Sequence, residues 1–196
     1  ELFHPGCIEY YGDINLMKGA IVFANRLSTV SPRYAMEIQS PAFGYGLEGI
    51  LQTRSRELTG ILNGIDREVW NPETDPHIAA NYSERDGLEG KALCKRALQK
   101  RCGFRANDAP LFGMVSRLVW EKGIDILLES VEFLVQRDLQ LAILGTGEAG
   151  YEDALADWAL LYPDNIRVFS EYNEALAHQI YAGADFSLMP SRVEPC

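Results

Sequence analysis

From Leu111 onward the chain alternates short apolar runs with amphipathic stretches, a regularity that few folds accommodate. The runs Leu111 to Val115, Leu139 to Leu144, Ile166 to Phe169 and Phe186 to Met189 have the length of strands. Between them, Gly123 to Arg137 places Ile124, Leu127, Leu128, Val131, Leu134 and Val135 at helical spacing, and Glu152 to Leu161 and Asn173 to Gly183 do likewise. Strands separated by helices of this length assemble into a parallel sheet with helices against its faces and right-handed crossovers. The expected class is therefore α/β, and this half is Rossmann-like. Ligands of such sheets bind beyond the carboxyl ends of the strands, which directs attention to the loops at that edge.

The first half of the chain is less even. Asn15 to Asn25 suits a helix and Leu27 to Val30 a short strand. Ser31 and Pro32 start a second helix, with Ser as N-cap and Pro at the first helical position. Gly44 to Gly49 reads as loop and Leu58 to Leu62 as a strand. Asn63-Gly64-Ile65-Asp66 reads as a turn leading to Trp70-Asn71-Pro72. Glu84 to Arg101 is helical in pattern, with Gly87 and Gly90 leaving its start open. A domain boundary is expected over residues 63–71, dividing 1–62 from 72–196. The chain opens at Glu1 without Met and stops just past a strand's carboxyl end, at Ser191-Arg192-Val193-Glu194-Pro195-Cys196. It reads as an internal piece of a longer protein.

Composition excludes several classes. Hydrophobic residues make up 47% of the 196 and charged ones 23%, close to an ordinary globular protein. The formal charge of −10, from 28 acidic and 18 basic side chains, repels nucleic acid, although a local basic pocket for a small phosphate ligand stays compatible with it. No apolar stretch approaches the roughly 18 residues of a membrane span, so no membrane partner is expected. Cys7, Cys94, Cys102 and Cys196 are scattered, without the close pairs of a zinc or redox motif. They read as reduced thiols of a cytoplasmic protein, with no metal site.

Three constellations at strand ends suit chemistry. Arg117 and Lys122, in the loop after the first of the later strands, can converge on one anion, a diphosphate being the natural target; they read equally as two surface cations. Gly145-Thr146-Gly147-Glu148-Ala149-Gly150 matches GxGxxG, with Glu171 at about the distance of a ribose-binding acid. Alone this points to an NAD-dependent oxidoreductase. However, the motif lies on the second βα unit of its domain, and the glycines equally let the backbone turn tightly and approach a ligand. Tyr172 suits stacking on a nucleobase, or cover for a helix start at Asn173. Glu171 and Glu194, both at strand ends, leave a paired-carboxylate hydrolase open. His178, among Leu176 and Ile180, reads as a core histidine.

Together the segments resemble the bacterial glycogen synthases and plant starch synthases, the ADP-glucose-dependent α-1,4-glucan glucosyltransferases. The resemblance is carried in order by Thr29 to Ala35 with Glu37-Ile38, Gly44 to Gly49, Gly60 to Asp66, Trp70-Asn71-Pro72, Val115 to Leu118, Lys122-Gly123, Leu144 to Gly147, Ala182 to Asp185 and Met189 to Cys196. It covers essentially the whole chain. It implies the B-type glycosyltransferase fold of two Rossmann-like domains, with residues 1–62 ending the acceptor-side domain, 63–71 as hinge and 72–196 forming most of the nucleotide-side sheet. It implies that Arg117 and Lys122 bind the donor diphosphate, that Tyr172 stacks on adenine and that Glu194 lies beside the transferred glucose. Asn63, Gly145, Gly147 and Cys196 are implied to line the donor site. The implied partners are ADP-glucose and an α-1,4-glucan, with no cofactor and a cytoplasmic location, or plastid in a plant. Relative to the family the first part and a Gly-Leu continuation after Cys196 are missing, so the piece itself is expected to be inactive. Two readings of other classes stay beside this one: the NAD oxidoreductase, and a glucan-binding module that binds no nucleotide.

Overall fold

A computed structural model describes residues 1–86 and 89–196; Gly87, one of the two glycines that left a helix start open, lies outside them. The chain forms two compact units, Glu1–Gly64 with Pro195–Cys196, and Ile65–Glu194.

The first unit opens with a hairpin of β1 (Glu9–Tyr10) and β2 (Asp13–Ile14), Tyr10 paired with Asp13. Its two-residue turn places Tyr11 and Gly12 at φ 52° and 90°, the sign that a tight hairpin of primed type needs at both positions. Helix α1 (Leu16–Phe23) is capped by Asn15, whose Oδ1 accepts from the Lys18 amide at 2.9 Å. Strand β3 (Leu27–Val30) leads to α2 (Pro32–Glu37), where Ser31 Oγ accepts from the Tyr34 amide at 3.1 Å, the cap expected from Ser31-Pro32. Helix α3 (Glu48–Thr53) replaces the end of the expected Gly44 to Gly49 loop, because Leu47 and Leu51 are buried and hold it in place. Strand β4 (Leu58–Ile61) pairs in parallel with β3.

In the second unit a single 3₁₀ turn at Glu84–Asp86 precedes α4 (Glu89–Cys102). Then β5 (Leu111–Val115), α5 (Ile124–Val135), β6 (Gln140–Leu144), α6 (Ala149–Leu161), β7 (Ile166–Phe169), α7 (Glu174–Gly183) and β8 (Phe186–Ser187) follow. All pair in parallel in the order β7-β6-β5-β8. Every β6 residue is buried, which explains the apolar run Leu141 to Leu144, covered on both faces, while Gln140 at its start is satisfied by hydrogen bonds with Gln99 and the Arg105 carbonyl. Ala142 and Leu144 pack on one side with Leu98 of α4 and Leu176 and Ile180 of α7. Leu141 and Ile143 pack on the other with Ile124 and Leu127 of α5 and Leu155 of α6. The alternation is the period of two that a pleated strand imposes.

The order of this sheet matters for function. From β5 the chain steps outward to β6 and β7, then returns to place β8 on the other side of β5. The direction of winding reverses between β5 and β8, and the crevice beyond such a switch point is where open α/β sheets bind ligands. Among the described residues no helix is long and apolar enough to cross a membrane, and no group of three or more His, Cys, Asp or Glu side chains is arranged to hold a metal ion.

Candidate functional site

The carboxyl edge of the second unit's sheet carries a cavity of about 340 Å3. The loops after β5, β6 and β7 supply Ser116, Arg117, Gly145, Thr146, Glu171 and Tyr172, and Trp70 closes one side. Each loop emerges where its strand ends, so these residues are delivered by strands that are buried or half-buried in the sheet. Arg117 is exposed, and among the described residues no acceptor holds its guanidinium. Tyr172 is 90% exposed. Its ring therefore does not serve as core, and the helix start beside it has its own cap: Asn173 Oδ1 accepts from the Leu176 amide at 2.9 Å.

Lys122 and Glu194 meet a short way along the same edge. The loops after β5 and β8 are laced together by Arg192 and Val193 amides donating to the Glu121 carbonyl at 2.9 and 3.2 Å. This brings Lys122 Nζ to 2.6 Å from Glu194 Oε2, which also accepts from Ser191 Oγ at 2.9 Å. Burial raises the Glu194 carboxyl, but the hydrogen bonds from Lys122 and Ser191 and the Lys122 charge outweigh it and hold the group below its ordinary range. Arg192 forms a second clamp, with Nη2 2.7 Å from Asp125 Oδ2. The pair sits beside the reversal between β5 and β8, while Arg117 faces the cavity across β5, β6 and β7. Asn63 and Cys196 belong to the first unit.

The GxGxxG glycines have a packing reason. A Cβ on Gly145 would lie 1.8 Å from the Ser116 carbonyl oxygen, and one on Gly147 would lie 2.1 Å from that of Leu118. The loop after β6 runs directly against the loop after β5: Leu118 N donates to Thr146 O, and Glu148 N to Leu118 O, both at 2.9 Å. Gly147 N donates to Glu152 Oε1 at 2.6 Å, so a carboxylate already occupies an amide that a dinucleotide's pyrophosphate would need. Glu171 lines the cavity and Glu194 does not, so the two carboxylates of the hydrolase reading do not share it. Pattern alone missed Trp70 and Tyr181 as cavity residues. The only signal was the aromatic of Trp70-Asn71-Pro72.

Residues 96–196, just over half of the chain, match the family model described as glycosyl transferases group 1, and residues 1–53 match the starch synthase catalytic domain. The chain belongs to the glycosyl transferases group 1 family. It is 50% identical over 197 residues to the glycogen synthase of Opitutus terrae, covering 100% of this chain and 41% of that protein. It is 51% identical over 190 residues to glycogen synthase 1 of Geobacter metallireducens, with 96% and 38% covered. Among solved structures, the catalytic domain of starch synthase IV from Arabidopsis thaliana bound to ADP and acarbose superposes with a TM-score of 0.93 at 35% identity, covering 100% of this chain and 41% of that one. The resemblance to the glycogen and starch synthases, and the B-type glycosyltransferase fold class that it implied, are borne out. The chain spans about 40% of the length of the curated relatives it matches.

Proposed function

We propose that this chain carries the donor-side machinery of a glycogen or starch synthase, which transfers glucose from ADP-glucose to the non-reducing end of an α-1,4-glucan with retention of configuration. The observation that carries this reading is the Arg117 guanidinium, without an acceptor among the described residues, beside the aromatic surfaces of Trp70 and Tyr172 in a cavity at the carboxyl edge of a parallel sheet. An aromatic surface suits a nucleobase, and a free planar cation suits the diphosphate next to it. Residues 1–62 are assigned to the acceptor side, 63–71 to a hinge and 72–196 to the nucleotide side.

In this reading, breaking the glycosidic bond to the donor puts negative charge on the leaving diphosphate. Fixed cations there stabilise the transition state more than the ground state. Arg117 holds the diphosphate from the cavity. Lys122 reaches it by exchanging its Glu194 partner for phosphate oxygen, which frees Glu194 to orient glucose hydroxyls and to support oxocarbenium-like charge. Gly145 and Gly147 contribute by keeping the two loops in close contact at the cavity rim. The Glu152 carboxylate on Gly147 N argues against NAD, which needs that amide for its own pyrophosphate.

Calorimetry on the purified chain tests the nucleotide site: ADP is expected to bind and NAD is not. Tight NAD binding with none for ADP would reverse the assignment. Transfer is tested by exchanging this chain for the matching segment of the Opitutus terrae enzyme and assaying ADP-glucose, UDP-glucose and glycogen. A folded chimera that binds glycogen but transfers from neither donor would favour the glucan-binding module.

A further inference from the structure

One wall of the cavity is held by residues that the roles above do not use. Trp70 lines the cavity and is 40% exposed. It also lies flat on the His178 imidazole, centroids 3.8 Å apart and planes 7° apart, and meets the Tyr181 ring edge-on at 5.7 Å. His178 is 2% exposed, and its Nδ1 is 2.6 Å from Oδ2 of Asp75, which is 6% exposed. A carboxylate only accepts, so Nδ1 donates this bond. Asp75 is itself fixed: its Oδ1 accepts from the His77 amide at 2.8 Å, and its own amide donates to Asn71 O at 2.9 Å. The imidazole plane is thus pinned from one side by a turn that begins next to Trp70. His178 Nε2 is buried without a partner among the described residues.

Stability alone does not account for this arrangement. Burying two hydrogen-bonded polar side chains gains little over apolar residues of the same volume, and an orphaned buried nitrogen adds a further cost. What the pair provides is a ring of fixed plane stacked on an indole that also lines the ligand cavity.

We propose that His178 is a positioning residue: pinned by Asp75, it sets the plane of Trp70, and Trp70 forms the flat wall against which the base of a nucleoside diphosphate lies. This rests on the reading of the cavity as a nucleotide site. The stacked pair acts on affinity through the indole, so its loss is read in ligand binding as well as in folding.

The test measures ADP affinity of the 196-residue chain by calorimetry, with circular dichroism and denaturation midpoints beside it. Trp70→Ala is expected to raise the Kd by roughly two- to ten-fold, the worth of one aromatic stacking contact. His178→Leu fills the space without a flat ring and is expected to raise it comparably, while His178→Phe keeps a flat ring but not its Asp75 anchor and is expected to raise it by less. Both variants break the Asp75 bond, so equal losses from the two would mean a structural role only and overturn the proposal. Trp70→Ala/His178→Leu is expected to bind no worse than Trp70→Ala alone, since His178 acts through the indole; additive losses would overturn it. A second readout needs no ligand. With Trp120 and Trp158 replaced by Phe, His178→Leu is expected to shift Trp70 emission to the red and increase its quenching by acrylamide, and unchanged emission and quenching would overturn the hold on the indole. Absence of ADP binding by the unaltered chain would instead remove the nucleotide reading, and with it the base wall, while the fluorescence still decides whether His178 holds Trp70.

Discussion

Lys122 Nζ and Glu194 Oε2 lie 2.6 Å apart, joining the loop after β5 to the loop after β8 beside the reversal of strand order. Each is the other's counter-ion in the ligand-free chain. The pair is partly solvated, with side chains 21% and 31% exposed, and a pair of that kind contributes about 1 kcal/mol or less. Weak pairing suits a role in which an incoming diphosphate displaces the carboxylate.

The Glu194 carboxyl is held below its ordinary value of 4.5, so the pair's contribution is fully present above that value and is lost as pH falls through the depressed folded-state value. Lys122→Met is expected to raise the Glu194 pKa, followed by carboxyl NMR titration in both proteins. An unchanged titration would mean that the two side chains are not paired in solution.

The glycine motif makes opposite predictions at two of its positions. Gly147→Ala places a Cβ 2.1 Å from the Leu118 carbonyl oxygen, and forced overpacking of this kind costs about 1–3 kcal/mol. Gly150, in the first turn of α6, has nothing within 4 Å of a built Cβ, so Gly150→Ala is expected to be neutral or stabilising by up to about 1 kcal/mol. Urea denaturation separates the two. Equal costs would mean that the loops are not packed as described.

What was legible in the sequence depended on how local the cause was. Strands Leu27–Val30, Leu111–Val115 and Ile166–Phe169 are short segments rich in apolar and β-branched residues, and their ends match the expected ones. The caps at Ser31 and Asn173 also match, because a cap is decided within three residues. Helix α3 was hidden by Gly44, Gly46 and Gly49, whose density reads as loop although Leu47 and Leu51 are buried. The expected Phe186 to Met189 strand shortens to Phe186–Ser187, since only Phe112 and Gly113 pair with it. Candidate residues at strand ends were legible because a parallel sheet delivers its loops to one edge. The Asp75–His178 contact, 103 residues apart in sequence, and the Trp70 wall that it supports have no local signature.

The cysteines give a chemical check on the packing. Cys196 is exposed and Cys7 half-buried, while Cys94 and Cys102 are buried and all four are free. Burial pushes the Cys102 thiol up to about 12, with Arg167 and Arg101 only partly opposing it. Since the thiolate is the reactive species, iodoacetamide at pH 8 is expected to modify Cys196 first, Cys7 more slowly and Cys102 only after denaturation. Mass spectrometry over time gives the order, and rapid native labelling of Cys102 would contradict the cluster it shares with Leu98 and Leu111.

Arg117 separates binding from folding more cleanly than Lys122, because its guanidinium has no acceptor among the described residues while Lys122 neutralises Glu194. Arg117→Ala is therefore expected to leave the denaturation midpoint of the chain unchanged within about 0.5 kcal/mol, as for a surface substitution without partners, and to weaken ADP binding. In a glycogen synthase carrying this segment it is expected to lower turnover by about 100- to 1000-fold, the cost of one fixed transition-state donor. Arg117→Lys keeps the charge but loses the planar fork and is expected to recover only part of the rate. Lys122→Ala is expected to lower turnover as well, and also to raise the Glu194 pKa, which Arg117→Ala leaves alone. Near-normal turnover with Arg117→Ala, at an ADP affinity equal to that of the unaltered chain, would remove the diphosphate from this cavity.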